Sequence, residues 1–316
     1  MGEIESEFTH RPLICYAADI TKSDPEVPNL IYPLDKTMFA DLLDSVNESE
    51  SIDMLLQSPG GFPDATEQLV SMLRGRFSDV HYYVPHTAKS AATMMVCSGN
   101  KVYMDHRSEL GPIDPQIRIP KAGGVSINVP AQAYLDGFDH INQALNKTGK
   151  LSSAYIPVLN QVDAAILQMC RDSINHSKTL VETWLLDYMF SGQPDAKRRA
   201  RNVAGKLADY RTLLSHGRPL GIQQAREIGL IIEDMGDVPE LQAKVWELYC
   251  RIELLFDGAR WVKVLGSKNY WVGKLVPPSI IQVPIQQQIQ PDTRPQPTPS
   301  PMTSKPRRRG SRGKKK

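Results

Sequence analysis

"VHYYVPHTAKSAATMM", residues 80–95, is the stretch on which the fold turns. Its first five residues are apolar, aromatic or β-prone, Pro85 punctuates them, and from Ser90 onward the residues are small and apolar, as in a buried helix. A strand, a sharp turn and a helix that starts at a serine are what a parallel sheet produces at the carboxyl end of a strand. A side chain at such a turn is left exposed, so Ser90 invites a chemical reading.

The neighbouring segments extend the pattern. "PLICYAA" (12–18) and "IDMLLQ" (52–57) are short apolar runs ended by turn residues, and "DKTMFADLLDSV" between them repeats its apolar positions at helical spacing, which predicts a βαβ opening. After "SPGG" (58–61), "FPDATEQLVSMLRGRF" places Ala65, Leu69, Met72 and Leu73 on one helical face. Beyond the Ser90 helix, "KVYM" (101–104) reads as a strand and "HRSELGPIDPQIRIP" as an ordered proline-rich loop. From about 131 to 211 the pattern is helical, including the basic helix "DAKRRARNVAGKLADY" with Val203, Leu207 and Tyr210 on one side. "LGIQQAREIGLIIEDM" (220–235) predicts a helix ended at Gly229 and followed by a short strand. A last amphipathic helix, "VPELQAKVWELYCRIELLF", precedes a hairpin in "ARWVKVLGSKNYWVGK". The whole reads as α/β with a parallel sheet and flanking helices.

Composition limits the function classes. With 316 residues and 41% hydrophobic content the chain has material for a sizeable core. No apolar run reaches the length of a membrane span, and "MGEIESEFTHRPLICYAA" lacks the basic-then-apolar order of a signal peptide, so a cytoplasmic protein without a membrane partner is expected. Cys15, Cys97, Cys170 and Cys250 are far apart, without metal-ligand spacing, so neither a metal nor any other cofactor is expected. The net charge of +2 conceals a division. Residues 277–316 hold nine Lys or Arg against the single acid Asp292, so this segment is net +8 and the remainder net −6. Rich in Pro, Gln, Ser and Thr, it reads as a disordered basic tail with weak attraction for polyanions. The expected organisation is a flexible N-terminus over 1–11, one domain over 12–276 with a helical insertion at about 131–211, and the tail over 277–316.

A serine hydroxyl becomes a useful nucleophile only when a base takes its proton and donors await the oxyanion. The N–H of Ala91 belongs to the first turn of the predicted helix, where amides have no intrahelical acceptor. Gly60 and Gly61 in "SPGG" have no side chain to block a carbonyl group approaching their backbone. Gly60, Gly61 and Ala91 are therefore the candidate oxyanion-hole residues.

Taken in order and at these spacings, "SPGG", "AKSAATM", "SELGPIDPQ" and "SHGRPLGIQQAREIGL" resemble the serine dehydrogenase proteinase family, relatives of the Clp peptidases and of signal peptide peptidase A in the Clp/crotonase superfamily. The likeness runs from about residue 12 to 235 and is most specific over 52–117. It implies a Clp/crotonase-like fold of repeated ββα units with a helical extension, and a serine peptidase acting on peptides or unfolded polypeptides as a homo-oligomer. It also implies Ser90 in "AKSA" as nucleophile, Asp114 in "GPIDPQ" as the acid and His216 in "SHGRPL" as the base. A Ser-Lys dyad, used by relatives of signal peptide peptidase A, leaves Lys89 open as an alternative base. The remaining histidines, His10, His81, His86, His106, His140 and His176, read as surface or strand residues, with His86 and His106 nearest the motif loops. Two other functions stand beside the peptidase: a scaffold holding nucleic acid or an acidic partner through the tail, and an acyl-CoA enzyme of the crotonase type on the same fold.

Overall fold

The computed structural model, which describes residues 1–22, 28–120, 124, 126–150, 152–258 and 260–275, contains eleven strands and ten α-helices among these residues, with six of the helices, from 131 to 228, in one run between strands. The strands are β1 (Leu13–Ala18), β2 (Ser51–Gln57), β3 (Asp79–Val84), β4 (Thr87–Ala88), β5 (Lys101–Met104), β6 (Glu109–Leu110), β7 (Gln116–Pro120), β8 (Ser126–Pro130), β9 (Ile232–Asp234), β10 (Trp261–Gly266) and β11 (Trp271–Leu275). The helices are α1 (Asp35–Asp44), α2 (Pro63–Arg76), α3 (Ala91–Val96), α4 (Ala131–Thr148), α5 (Ile156–Leu159), α6 (Ala164–Trp184), α7 (Ala196–Leu207), α8 (Tyr210–Leu213), α9 (Ile222–Ile228) and α10 (Pro239–Gly258). Seven strands form the main sheet in the order β11-β10-β1-β2-β3-β5-β9. The run from β1 to β9 is parallel, and the β10–β11 hairpin adds antiparallel to β1.

The parallel strands are largely apolar on both sides because helices cover both faces, and alternate residues supply the two sides. Ile14 and Tyr16 on β1, Met54 and Leu56 on β2, and Val80 and Tyr82 on β3 enter one core, which packs against α1, α2, α3, α7 and the C-terminal half of α6. Leu13, Cys15 and Ala17, with Leu55 and Tyr83, enter the other core, closed by α10. A third, smaller cluster joins Ile117 of β7 to Ala131 and Leu135 of α4 and to Leu167, Cys170 and Ile174 of α6. That cluster fixes the β7–β8 hairpin and the helical extension beside the sheet.

The expected elements appear where the periodicity places them, with three differences. The stretch read as a proline-rich loop contains β6 and β7, because its residues pair with partners remote in sequence: β6 with β4, and β7 with β8. The basic helix stops at Leu207 and leaves Tyr210 to the next helix, since the Asp209 side chain accepts the Arg211 N–H and caps a new start. At the N-terminus, Ile4–Thr9 forms a π-helical turn with Ile4 buried, in a segment expected to be flexible. Among the described residues no helix is long and apolar enough to cross a membrane. The basic tail assigned to 277–316 lies outside the described residues.

Candidate active site

Ser90 stands between β4 and α3 with φ 51° and ψ −119°, a backbone conformation that a residue with a Cβ rarely adopts. Such strain persists only where the surroundings enforce it, and it aims the side chain out of the turn. The surroundings are on hand. β4 is held from both sides, by the parallel pairing of Thr87 and Ala88 with Glu109 and Leu110 and by the bridge between Ser58 and Ala88. Beneath it the Thr93 hydroxyl donates to Ala88 O at 2.7 Å and accepts the Gly111 N–H at 3.0 Å.

"SPGG" lies directly against this turn. A Cβ built on Gly60, at φ 111°, would stand 2.8 Å from Ser90 Cβ and 2.9 Å from Lys89 O. On Gly61 it would come within 2.3–2.8 Å of the Ile31 backbone. Only glycine lets the three strands of backbone approach so closely. The Gly60 N–H donates to Ser58 Oγ at 3.1 Å. The amides of Gly61 and Ala91 have no acceptor among the described residues. Of the three oxyanion-hole candidates, two therefore present a free N–H and Gly60 supplies the space.

Asp114 and His216, 102 residues apart, meet at 2.8 Å between Asp114 Oδ1 and His216 Nδ1. The antiparallel bridge between Leu110 and Leu220 and the Ile113 N–H bond to Leu207 O draw the two loops together. Asp114 is buried, and its second oxygen accepts the Gln116 side-chain amide at 2.8 Å. With Nδ1–H donating to the carboxylate, the imidazole keeps a lone pair on Nε2. His216 and Ser90 line one cleft of about 680 Å³, together with Leu30, Phe62, Met94 and Ile113 as apolar walls. Ser90 Oγ has no hydrogen-bond partner among the described residues, and in substrate-free sites such bonds commonly close only with substrate present.

Lys89 is directed elsewhere. Its ammonium pairs with Glu109 Oε1 at 3.0 Å, and its stem passes over Gly111. The cleft is also lined by polar residues that the sequence did not mark as site candidates, His176 and Arg118 among them. His176 of α6 faces Asp64 Oδ1 of α2 at 3.1 Å, and Arg118 of β7 reaches the same space. His176 follows Cys170 and Ser173 at helical spacing, but nothing in that spacing distinguishes a cleft face from a core face. His86 packs on Tyr249 at 5.5 Å between ring centroids. Among the described residues no three His, Cys, Asp or Glu side chains converge as a metal site.

Residues 41–254 match the family model of the ClpP-like SDH-type serine proteinases. Two uncharacterized proteins of Methanocaldococcus jannaschii are similar in sequence. One is 24% identical over 204 residues, covering 64% of this chain and 59% of that protein. The other is 25% identical over 202 residues, covering 64% and 58%. The chain thus spans about three fifths of the length of these curated relatives. Among solved structures, the 1510-N membrane-bound stomatin-specific protease, in a serine-to-alanine mutant, shares 17% identity at a TM-score of 0.40, covering 67% of this chain and 78% of that one. A lysine-to-alanine mutant of the same protease in complex with a substrate peptide shares 16% identity at a TM-score of 0.39, covering 79% and 89%.

Proposed function

The chain belongs to the ClpP-like SDH-type serine proteinases, and on that premise we propose that it hydrolyses peptide bonds through an acyl-enzyme on Ser90. His216 Nε2 takes the Ser90 proton as Oγ bonds to the scissile carbonyl carbon. The same proton then leaves on the departing amine, and a water deprotonated by His216 releases the acyl group. Asp114 holds the imidazole in the tautomer this requires. The N–H groups of Gly61 and Ala91 receive the oxyanion, in a site where fixed donors act without reorganisation.

One observation carries the proposal: Asp114 and His216 are in hydrogen-bond contact at the wall of the cleft that Ser90 also lines. The Lys89–Glu109 ion pair supports the triad over a Ser-Lys dyad. The apolar walls around Ser90 suit an uncharged side chain of an extended peptide or unfolded polypeptide. Self-association is part of the same reading, because Leu145, Ile156, Val158 and Met169 on the helical extension are between 37% and 49% exposed.

The test is labelling with a fluorophosphonate followed by mapping of the adduct, alongside turnover of a small ester or peptide. Wild-type protein is expected to carry the adduct on Ser90 and to turn over substrate. Ser90→Ala should fold, remain unlabelled and be inactive. Full activity in folded Ser90→Ala would refute the mechanism.

A further inference from the structure

A buried ion cluster stands behind the oxyanion loop. Lys263 of β10 and Asp35 at the start of α1 are both fully buried, with Nζ and Oδ2 2.6 Å apart. Asp35 also accepts the Tyr16 hydroxyl at 2.7 Å, the Tyr32 N–H at 2.9 Å and the Lys274 ammonium at 3.1 Å. Burial pushes the Lys263 amine down to about 8 against the pull of Asp35. A buried pair of this kind is often no more stable than an apolar replacement of the same volume, so its position calls for a reason other than stability.

The reason lies in the second bond of Lys263. Besides Asp35, Nζ donates to Leu30 O at 2.5 Å. Leu30 C=O and Ile31 N–H belong to one peptide unit, and Ile31 N–H donates to Gly60 O at 2.7 Å. Gly60 C=O and Gly61 N–H belong to the next unit. All described peptide bonds are trans, so in each unit the N–H points opposite to its C=O. The series runs from ammonium to Leu30 C=O, Ile31 N–H, Gly60 C=O and finally the unoccupied Gly61 N–H on the cleft side. Phe62 N–H returns to Ile31 O at 3.0 Å and closes the pairing. A Gly-Gly peptide unit rotates more freely than any other, and the Ile31 N–H, at 2.7 Å the shorter of the two donors to Gly60 O beside the Ser58 hydroxyl at 3.3 Å, holds it in one of its two orientations.

We propose that Lys263 is a positioning residue for the oxyanion hole: through the Leu30–Ile31 peptide unit it fixes the orientation of the Gly60–Gly61 unit and polarises the Gly61 N–H. The assignment rests on the reading of Gly61 N–H as an oxyanion donor. Aligned donors and acceptors of low exposure strengthen one another, so the ammonium acts on the far end of the series as well as on the near one.

Lys263→Met removes the ammonium while Asp35 keeps Tyr16, Tyr32 and Lys274 as donors. In the full chain, active sites are counted by the end point of fluorophosphonate labelling of Ser90, and kcat is expressed per labelled site. The expected result is a fall in kcat of about 10- to 100-fold, below the full loss of a hole donor, with KM unchanged. A merely structural lysine would lower the number of labelled sites and leave kcat per site at the wild-type value; that outcome overturns the proposal. Should Lys263→Met fail to fold, replacement of Ile31 by its α-hydroxy acid analogue removes only the Ile31 N–H. The same loss of kcat is expected there, and a wild-type kcat per site overturns the proposal. Absence of Ser90 labelling in the wild-type protein would overturn the acyl-enzyme reading beneath it, and the brace as a catalytic device with it.

Discussion

Ser90 at positive φ and Gly60 against its Cβ are two halves of one constraint. A strained residue costs on the order of 1–3 kcal/mol, and the surrounding backbone must hold it there. Gly60→Ala would place a methyl group 2.8 Å from Ser90 Cβ. It is expected to lower kcat about 100-fold, the usual consequence of misplacing a reacting atom by about 1 Å, and to destabilise the fold. Gly75→Ala is the matching control: Gly75 is exposed in α2 with no atom within 4 Å of an added Cβ. It should leave kcat intact and raise stability by about 0.5–1 kcal/mol, measured by denaturant titration. The base is tested in the same assay. His216→Ala should lower kcat by about 1,000-fold or more, while Lys89→Ala, which breaks a pair with Glu109 outside the cleft, should cost far less. The reverse ranking would favour the dyad.

At the scale of elements, β2 and β3 pair Asp53 with His81, and Arg11 reaches across both strands to Asp53 and Asp79. Burial raises the Asp53 carboxyl to about 6 and lowers the His81 imidazole to about 4. The signs oppose. Asp53 binds its proton more tightly when folded, so its contribution falls as pH rises from about 4 to 6. His81 binds its proton more tightly when unfolded, so its contribution falls as pH drops from about 6.5 to 4. Removing the histidine removes only the second slope. His81→Gln is therefore expected to gain stability relative to wild type as pH falls through that window, with the difference read by urea titration at pH 4, 5 and 6.5. A difference independent of pH would show that burial does not hold the His81 imidazole below its ordinary value.

At the scale of the molecule, every residue placed in the site lies within the compact unit Met1–Pro277. The charge division sets the segment after it apart, and we propose that its net +8 attracts polyanions largely without regard to sequence and with a steep dependence on salt. Deleting residues 278–316 is expected to leave turnover of a small peptide unchanged and to abolish binding to DNA at low salt. Sedimentation of the same truncated protein should show an oligomer, because the exposed apolar residues proposed for self-association are in α4, α5 and α6. Loss of turnover on truncation would make the segment part of the active assembly.

The alternation of apolar runs and helical spacing determined the α/β class, because a strand buried on both faces is mostly apolar and a helix covering it must repeat at three and four residues. The turn at "AKSA" and the glycines of "SPGG" made Ser90, Ala91, Gly60 and Gly61 candidates, since turns and glycines are legible locally, whereas Asp114 in "GPIDPQ" and His216 in "SHGRPL" became candidates through the family resemblance. Tertiary structure alone decided the rest. Only pairing remote in sequence, of Leu110 with Leu220 and of Ile113 with Leu207, brings Asp114 to His216, and only the fold sends Lys89 to Glu109 and pairs the Gly60 N–H with Ser58 Oγ while leaving that of Gly61 without an acceptor among the described residues. Lys263 and His176 were invisible in the sequence for the same reason. Their meaning comes from partners 233 and 112 residues away, and a local pattern has no record of what a side chain will face once the sheet is closed.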